Sequence, residues 1–176
     1  LLRLQQITSG YVTTESNDHP FLDDAKIAAL GDFLEDLQRT EPVVVFARFR
    51  HDLERIRQLA AQQARVFWEI SGSCKQLDCW QHDAVQRRGP VLGVQIQAGG
   101  LGIDLTAARY AVYYSLGFSL GDYEQSLARL HRPGQKHTVH YYHLICERTV
   151  DEHVYRVLRQ RKNVVESILD MWQRKE

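Results

Sequence analysis

The chain has 176 residues, 44% hydrophobic and 25% charged, which is enough apolar material for one domain with a sizeable core. Its 22 basic and 22 acidic residues cancel, so overall charge gives no pull toward nucleic acid, and any such contact must come from a local patch. No apolar run is long enough to span a membrane and no signal-peptide pattern is present. Three cysteines, Cys74, Cys79 and Cys146, are odd in number and lack metal-type pairing, so free thiols in a reducing cytoplasm are the expectation.

The polar, turn-rich stretch Thr13 to Pro20 reads as a mobile loop. Asp23 or Asp24 can cap a helix over Ala25–Arg39, whose Ile27, Leu30, Phe33, Leu34 and Leu37 follow helical spacing. Pro42 opens a strand, Val43 to Phe46, whose unbroken β-branched run suits burial on both faces. Arg48, Phe49, Arg50 and His51 follow at its end, where basic groups can meet a phosphate backbone or simply sit in a solvated loop. A helix is expected over Asp52–Gln63 and a strand over Val66–Ile70. The turn Ser71-Gly72-Ser73 then offers a hydroxyl and an exposed amide at Ser73, groups that hold phosphates. The next helix, near Leu77–Arg87, carries Cys79 and His82, but two ligands at that spacing do not make a four-ligand metal site.

The segment from Val91 to Gln135 is the most informative. A strand, Val91 to Val94, leads through Gln95 and Gln97 to the turn Gly99-Gly100-Leu101-Gly102 and then Ile103-Asp104-Leu105. Parallel sheets place ligands beyond the carboxyl ends of their strands, and glycine allows a sharp turn or close approach of a phosphate. Asp104 can accept from a ribose hydroxyl; a tight turn with no ligand is the competing reading. After a further strand, Tyr110 to Tyr114, a helix carries Gln125, Arg129 and Arg132 at spacings of four and three, hence on one helical face, and stops at Pro133-Gly134. Two arginines on one face repel each other unless an anion stands before them, or unless Asp122 or Glu124 pairs with them. His137, His140 and His143 border the strand Thr138–Ile145, but on a strand His140 faces away from the other two, which argues against a metal cluster. The last helix, Val150–Trp172, has an apolar stripe of Val154, Val157, Leu158, Val165, Ile168, Leu169 and Trp172.

The order Gln-x3-Arg-x2-Arg-Pro-Gly-Gln, following Ala-Gly-Gly-Leu-Gly-Ile-Asp-Leu, closely resembles the second motor lobe of the Swi/Snf-type helicase-like ATPases of helicase superfamily two. Pro42–His51 is similar to the family's fourth motif, Gln97–Leu105 to the fifth and Gln125–Gln135 to the sixth, and Ile70–Ser73 resembles the glycine-serine turn between them. The resemblance implies a RecA-like three-layer α/β/α sandwich with a mostly parallel sheet of about six strands. It implies a leading segment and loop over 1–24, the lobe proper over 25–150 and a bracing helix over 151–176. By the same resemblance Arg129 and Arg132 act as arginine fingers toward ATP, and Gln125 positions the helix or the attacking water. Gly100, Gly102 and Asp104 border the nucleotide, and Arg48, Ser73 and Gln97 touch the backbone of double-stranded DNA. Gln95 and Gln97 stand where relatives often have small hydroxyl or basic residues, and Asp104 where this family more often has Asn.

The implied partners are duplex DNA, the first RecA-like lobe of the same protein and a protein to be remodelled; the implied location is cytoplasmic, or nuclear in a eukaryote. The chain starts at Leu1 and contains neither a G-x-x-x-x-G-K-[ST] loop nor an Asp-Glu box, so it is expected to be a fragment that hydrolyses no ATP alone, with Mg held mainly by the other lobe. The alternatives are the lobe of a strand-separating helicase of the same superfamily and a non-catalytic interaction lobe.

Overall fold

The computed structural model describes residues 2–14, 20, 22–97 and 102–173, with side chains as far as residue 161. Five strands, β1 (Val43–Ala47), β2 (Phe67–Ile70), β3 (Val91–Gln95), β4 (Tyr110–Tyr113) and β5 (His140–His143), form one wholly parallel sheet in the order β2-β3-β1-β4-β5. About six strands were expected; among the described residues there are five. β1 lies at the centre and every one of its residues is buried, as its run of β-branched residues requires.

Among the described residues six helices accompany the sheet: α1 (Leu2–Thr8), α2 (Ala25–Asp36), α3 (Arg50–Gln62), α4 (Leu77–Val85), α5 (Leu120–Leu130) and α6 (Val150–Gln173). One face of the sheet carries α2 and α3, through Leu30, Leu34, Leu53 and Ile56 against Val43, Val45, Val91 and Val112. The other carries α4, α5 and α6, through Trp80, Tyr123, Leu130, Val154 and Leu158 against Val44, Phe46, Leu92 and Tyr113. The result is the three-layer α/β/α architecture expected for the chain. The side chains of Val165, Ile168, Leu169 and Trp172 lie outside the described residues, as does most of the Thr13–Pro20 loop.

Local chemistry sets the boundaries. Asp23 takes the amide of Ala25 at the start of α2, and Ser119 accepts the Asp122 amide as the cap of α5 at 3.2 Å. In β3, Gly93 admits the ring of Phe67: a Cβ there would lie 2.6 Å from it. No helix among the described residues is long and apolar enough to cross a membrane.

Candidate functional site

The carboxyl ends of β1, β3 and β4 are neighbours, because β1 pairs with both of the others. That adjacency brings Arg48, Gln97 and Leu116 to one edge, where with Gly117, Phe118, Ser119, Asp122 and Tyr123 they line a cleft of about 250 Å³. Gln97 is exposed. Arg48 is not a loose surface group. Its backbone amide donates to Ser115 Oγ at 2.8 Å, its guanidinium donates to Gln5 Oε1, and its charge lies 5.4 Å from the Phe49 ring centre. Desolvation holds the Arg48 pKa below its ordinary value.

Ser73 belongs to a different part of the rim. Its Oγ lies 3.4 Å from Arg50 Nη2, and both residues are exposed. Beneath them Ser71 Oγ donates to the buried Glu69 carboxylate at 2.7 Å. Glu69 in turn pairs with Arg57. Sequence reasoning favoured Arg48 over Arg50; the fold sets Arg50, not Arg48, beside Ser73. The signal was the position of Arg50 at a strand end, but its partner lies 23 residues away.

The second cluster is built by the segment before β4 and by α5. Gly102 has a φ of +31° and open space where a Cβ would stand. Gly100 lies outside the described residues. Asp104 Oδ1 accepts from the Thr106 amide at 2.9 Å and the Thr106 hydroxyl at 2.8 Å. These two bonds, with a lesser contribution from the charge of Arg132, hold the Asp104 carboxyl below its ordinary pKa. Its own carbonyl accepts from Gln81 Nε2 at 3.0 Å. Asp104 is therefore exposed, ionised and engaged in its own turn.

On α5, Gln125 and Arg129 share one face and line a narrow crevice with Phe46, Ile96, Ile103, Asp122 and Ser126. The expectation that Arg132 continues that helical face is corrected: α5 ends at Leu130, and Arg132 sits in the bend that follows His131. Pro133 supplies the reason, since the residue before a proline is disfavoured in helical conformation. Among the described residues neither arginine makes an ion pair, with Asp122, Glu124 or any other acid. The Nε of half-buried Arg129 is shielded from solvent without a hydrogen-bond partner among the described residues.

Two links join these segments. The Leu105 amide donates to the Arg129 carbonyl at 3.1 Å. Gln135 Nε2 reaches the carbonyls of Thr106, Ala108 and Leu130 at 3.1, 3.0 and 3.4 Å. Gln135 was part of the motif read from the sequence, but only the fold shows it as the staple between the two segments. Among the described residues no group of three or more His, Cys, Asp or Glu side chains gathers as a metal site. His143 instead stacks on Tyr113, with ring centres 4.7 Å apart, and its Nε2 lies 3.0 Å from the Tyr123 hydroxyl.

A parallel sheet covered by helices on both faces is a RecA-like α/β fold. The chain belongs to the helicase conserved C-terminal domain family, matched over residues 25–134. It is 28% identical to an uncharacterized ATP-dependent helicase of Mycoplasma genitalium, across 96% of this chain and 17% of that protein. To the DNA repair protein RAD5 of Eremothecium gossypii it is 30% identical, across 82% of this chain and 14% of that protein. To the chromatin-remodeling ATPase INO80 of Mycosarcoma maydis it is 26% identical, across 84% and 8%. The crystal structure of the C-terminal part of the Fun30 ATPase domain shares the fold, with a TM-score of 0.68 at 24% identity, covering 76% of this chain and 44% of that one. The chain is thus a C-terminal lobe of the Swi/Snf-type helicases, and spans less than a fifth of the length of the relatives it matches.

Proposed function

We propose that this lobe completes the ATP site of a DNA-dependent ATPase that moves along duplex DNA, facing a first RecA-like lobe of the same protein. The observation that carries the reading is that Arg129 and Arg132 make no ion pair with a carboxylate among the described residues, and that the Nε of Arg129 is shielded and unpartnered there. Such a pair fits a polyanion such as a triphosphate. Among the described residues no acidic or histidine cluster gathers that would hold a metal, and in this reading Mg is held mainly by the facing lobe. When bound, ATP supplies the phosphoryl group that is transferred to water.

The chain's own residues then divide the work. Arg129, held by α5, lines the crevice it shares with Gln125 and keeps a shielded, unpartnered Nε–H for an acceptor. Arg132, exposed in the following bend, presents its fork to charge that grows during transfer. Gln125 carries both a donor and an acceptor, which suits it to holding the helix or a water in line. Gly102, and by the sequence reading Gly100, let backbone approach the nucleotide, and Asp104 offers an ionised acceptor to the ribose side. On the DNA side Arg48 and Gln97 share one cleft, and Ser73, with Arg50 beside it, forms a second contact point. In this reading residues 1–24 lead into the lobe, 25–150 form it, and 151–176 brace it, supported by contacts of α6 with α1 and α5.

Arg132→Ala in the full-length protein tests the reading. Turnover should fall on the order of a thousandfold, with a much smaller change in nucleotide affinity and an unchanged melting temperature. Lysine should rescue poorly, because a point charge lacks the planar fork. Near-normal turnover, or a loss accounted for by unfolding, would rule the role out.

A further inference from the structure

Gln5 stands in α1, remote in sequence from the motifs, and is 3% exposed. Its Nε2 donates to the Leu116 carbonyl at 2.8 Å, and its Oε1 accepts from Arg48 Nη1. Arg48 follows β1 and Leu116 follows the neighbouring β4, so one amide spans the ends of two adjacent strands. The task needs both a donor and an acceptor. A carboxylate has no hydrogen to give the carbonyl, and an apolar side chain would leave both partners unmatched. The guanidinium is enclosed from other sides as well. Phe49 lies beneath it, and a Cβ at Gly117 would approach Nη1 to 3.3 Å.

Contacts away from the cleft seat α1 independently. Thr8 Oγ1 donates to Asp151 Oδ1 at 2.8 Å, and Asp151 also pairs with the buried Lys26 at 2.5 Å. Arg55 donates to the Ser9 carbonyl at 3.1 Å. α1 is therefore held directly by α6, which Lys26 ties to α2, and the residue that follows α1 is held by Arg55 of α3; Gln5 carries that position to Arg48.

We propose that Gln5 is a positioning residue that couples the seating of α1 to the orientation of Arg48, so that the lobe presents Arg48 to a phosphate backbone only when its leading helix is docked. This rests on the reading that Arg48 contacts DNA. The test measures affinity of the full-length protein for a duplex of arbitrary sequence across a salt series. Gln5→Ala should weaken binding roughly tenfold, the scale of one charge-assisted hydrogen bond. In the Gln5→Ala, Arg48→Ala double variant the loss should be no greater than in Arg48→Ala alone, because both changes remove the same contact. Thr8→Ala, which loosens α1 while leaving the Gln5 and Arg48 side chains in place, should weaken DNA binding in the same direction, and that loss should vanish when Arg48 is already alanine.

Additive losses in the double variant overturn the coupling, as does unchanged affinity in Gln5→Ala where Arg48→Ala binds more weakly. A Thr8→Ala variant with a lowered melting temperature and parental DNA affinity, or one whose loss persists in the Arg48→Ala background, breaks the link between α1 and Arg48 and also overturns it. If Arg48→Ala itself keeps parental affinity and salt slope, the DNA reading of Arg48 fails and takes the proposal with it.

Discussion

One buried and one half-buried titratable group, Asp52 and His143, set opposing pH responses within one narrow window. Asp52, on α3, is fully enclosed, and burial pushes its carboxyl from an ordinary 3.8 up to about 6, although the Ser115 hydroxyl and the charge of Lys26 act the other way. A carboxyl that protonates more easily in the fold than in the open chain adds stability below about pH 4 and withdraws it as pH rises through about 6. His143 behaves in reverse. Burial, reinforced by the charge of Arg159, brings its imidazole from 6.5 down to about 4. Its contribution is present above about pH 6.5 and is lost as pH falls through about 4. At roughly 1.4 kcal/mol per tenfold, each group should move stability by about 2 kcal/mol between pH 7 and about pH 4.5, with opposite signs. The parent chain should therefore hold a nearly level stability there. Asp52→Asn should expose the histidine, and unfolding free energy should drop by about 2 kcal/mol on acidification. His143→Gln should expose the carboxylate, and stability should rise by a similar amount. Urea unfolding at three pH values, taken as the difference between variant and parent, isolates each group from the remaining carboxylates. If Asp52→Asn and the parent share one pH profile, Asp52 is ionised throughout and the burial argument is wrong.

Other outcomes follow from the same structure. The chain without its facing lobe should show no DNA-stimulated ATP turnover, because positioning and charge neutralisation must come from both sides of the site; turnover that survives further purification would contradict this. Its binding to duplex DNA should be weak, indifferent to sequence and steeply salt-dependent, and Arg48→Ala should flatten the salt slope by about one unit; a salt-independent affinity would contradict it. Gly93→Ala should lower unfolding free energy by about 1–3 kcal/mol, since the new methyl would meet Phe67 at 2.6 Å and Leu53 at 3.0 Å in a filled layer.

The sheet was legible because its strands advertise themselves. Val43–Phe46 and Val91–Val94 are short apolar runs between turn signals, and a strand buried on both faces can have no other pattern. The ends of elements were less so. The strand read over Thr138–Ile145 pairs only across His140–His143, and spacing alone extended α5 to Arg132 although Pro133 forbids it. What the sequence concealed were partners distant along the chain. Nothing near Arg48 announces that Gln5 holds it, or that Ser115 receives its amide across 67 residues. The same holds for Glu69, whose role under the Ser71–Ser73 turn appears only when Arg57 is placed beside it.

The bond from the Leu105 amide to the Arg129 carbonyl, with the three carbonyls gathered by Gln135, has a mechanical consequence. The loop bearing Asp104 and the helix end bearing Arg129 cannot slide past each other without breaking several bonds at once. A rotation of the whole lobe about a hinge therefore carries both by one common displacement. On the proposed reading, ribose-side and phosphate-side groups reach a nucleotide together, as the jaws of a clamp with a single degree of freedom. Half-engaged arrangements, with one set of contacts made and the other open, are then scarce, and engagement approaches all-or-none.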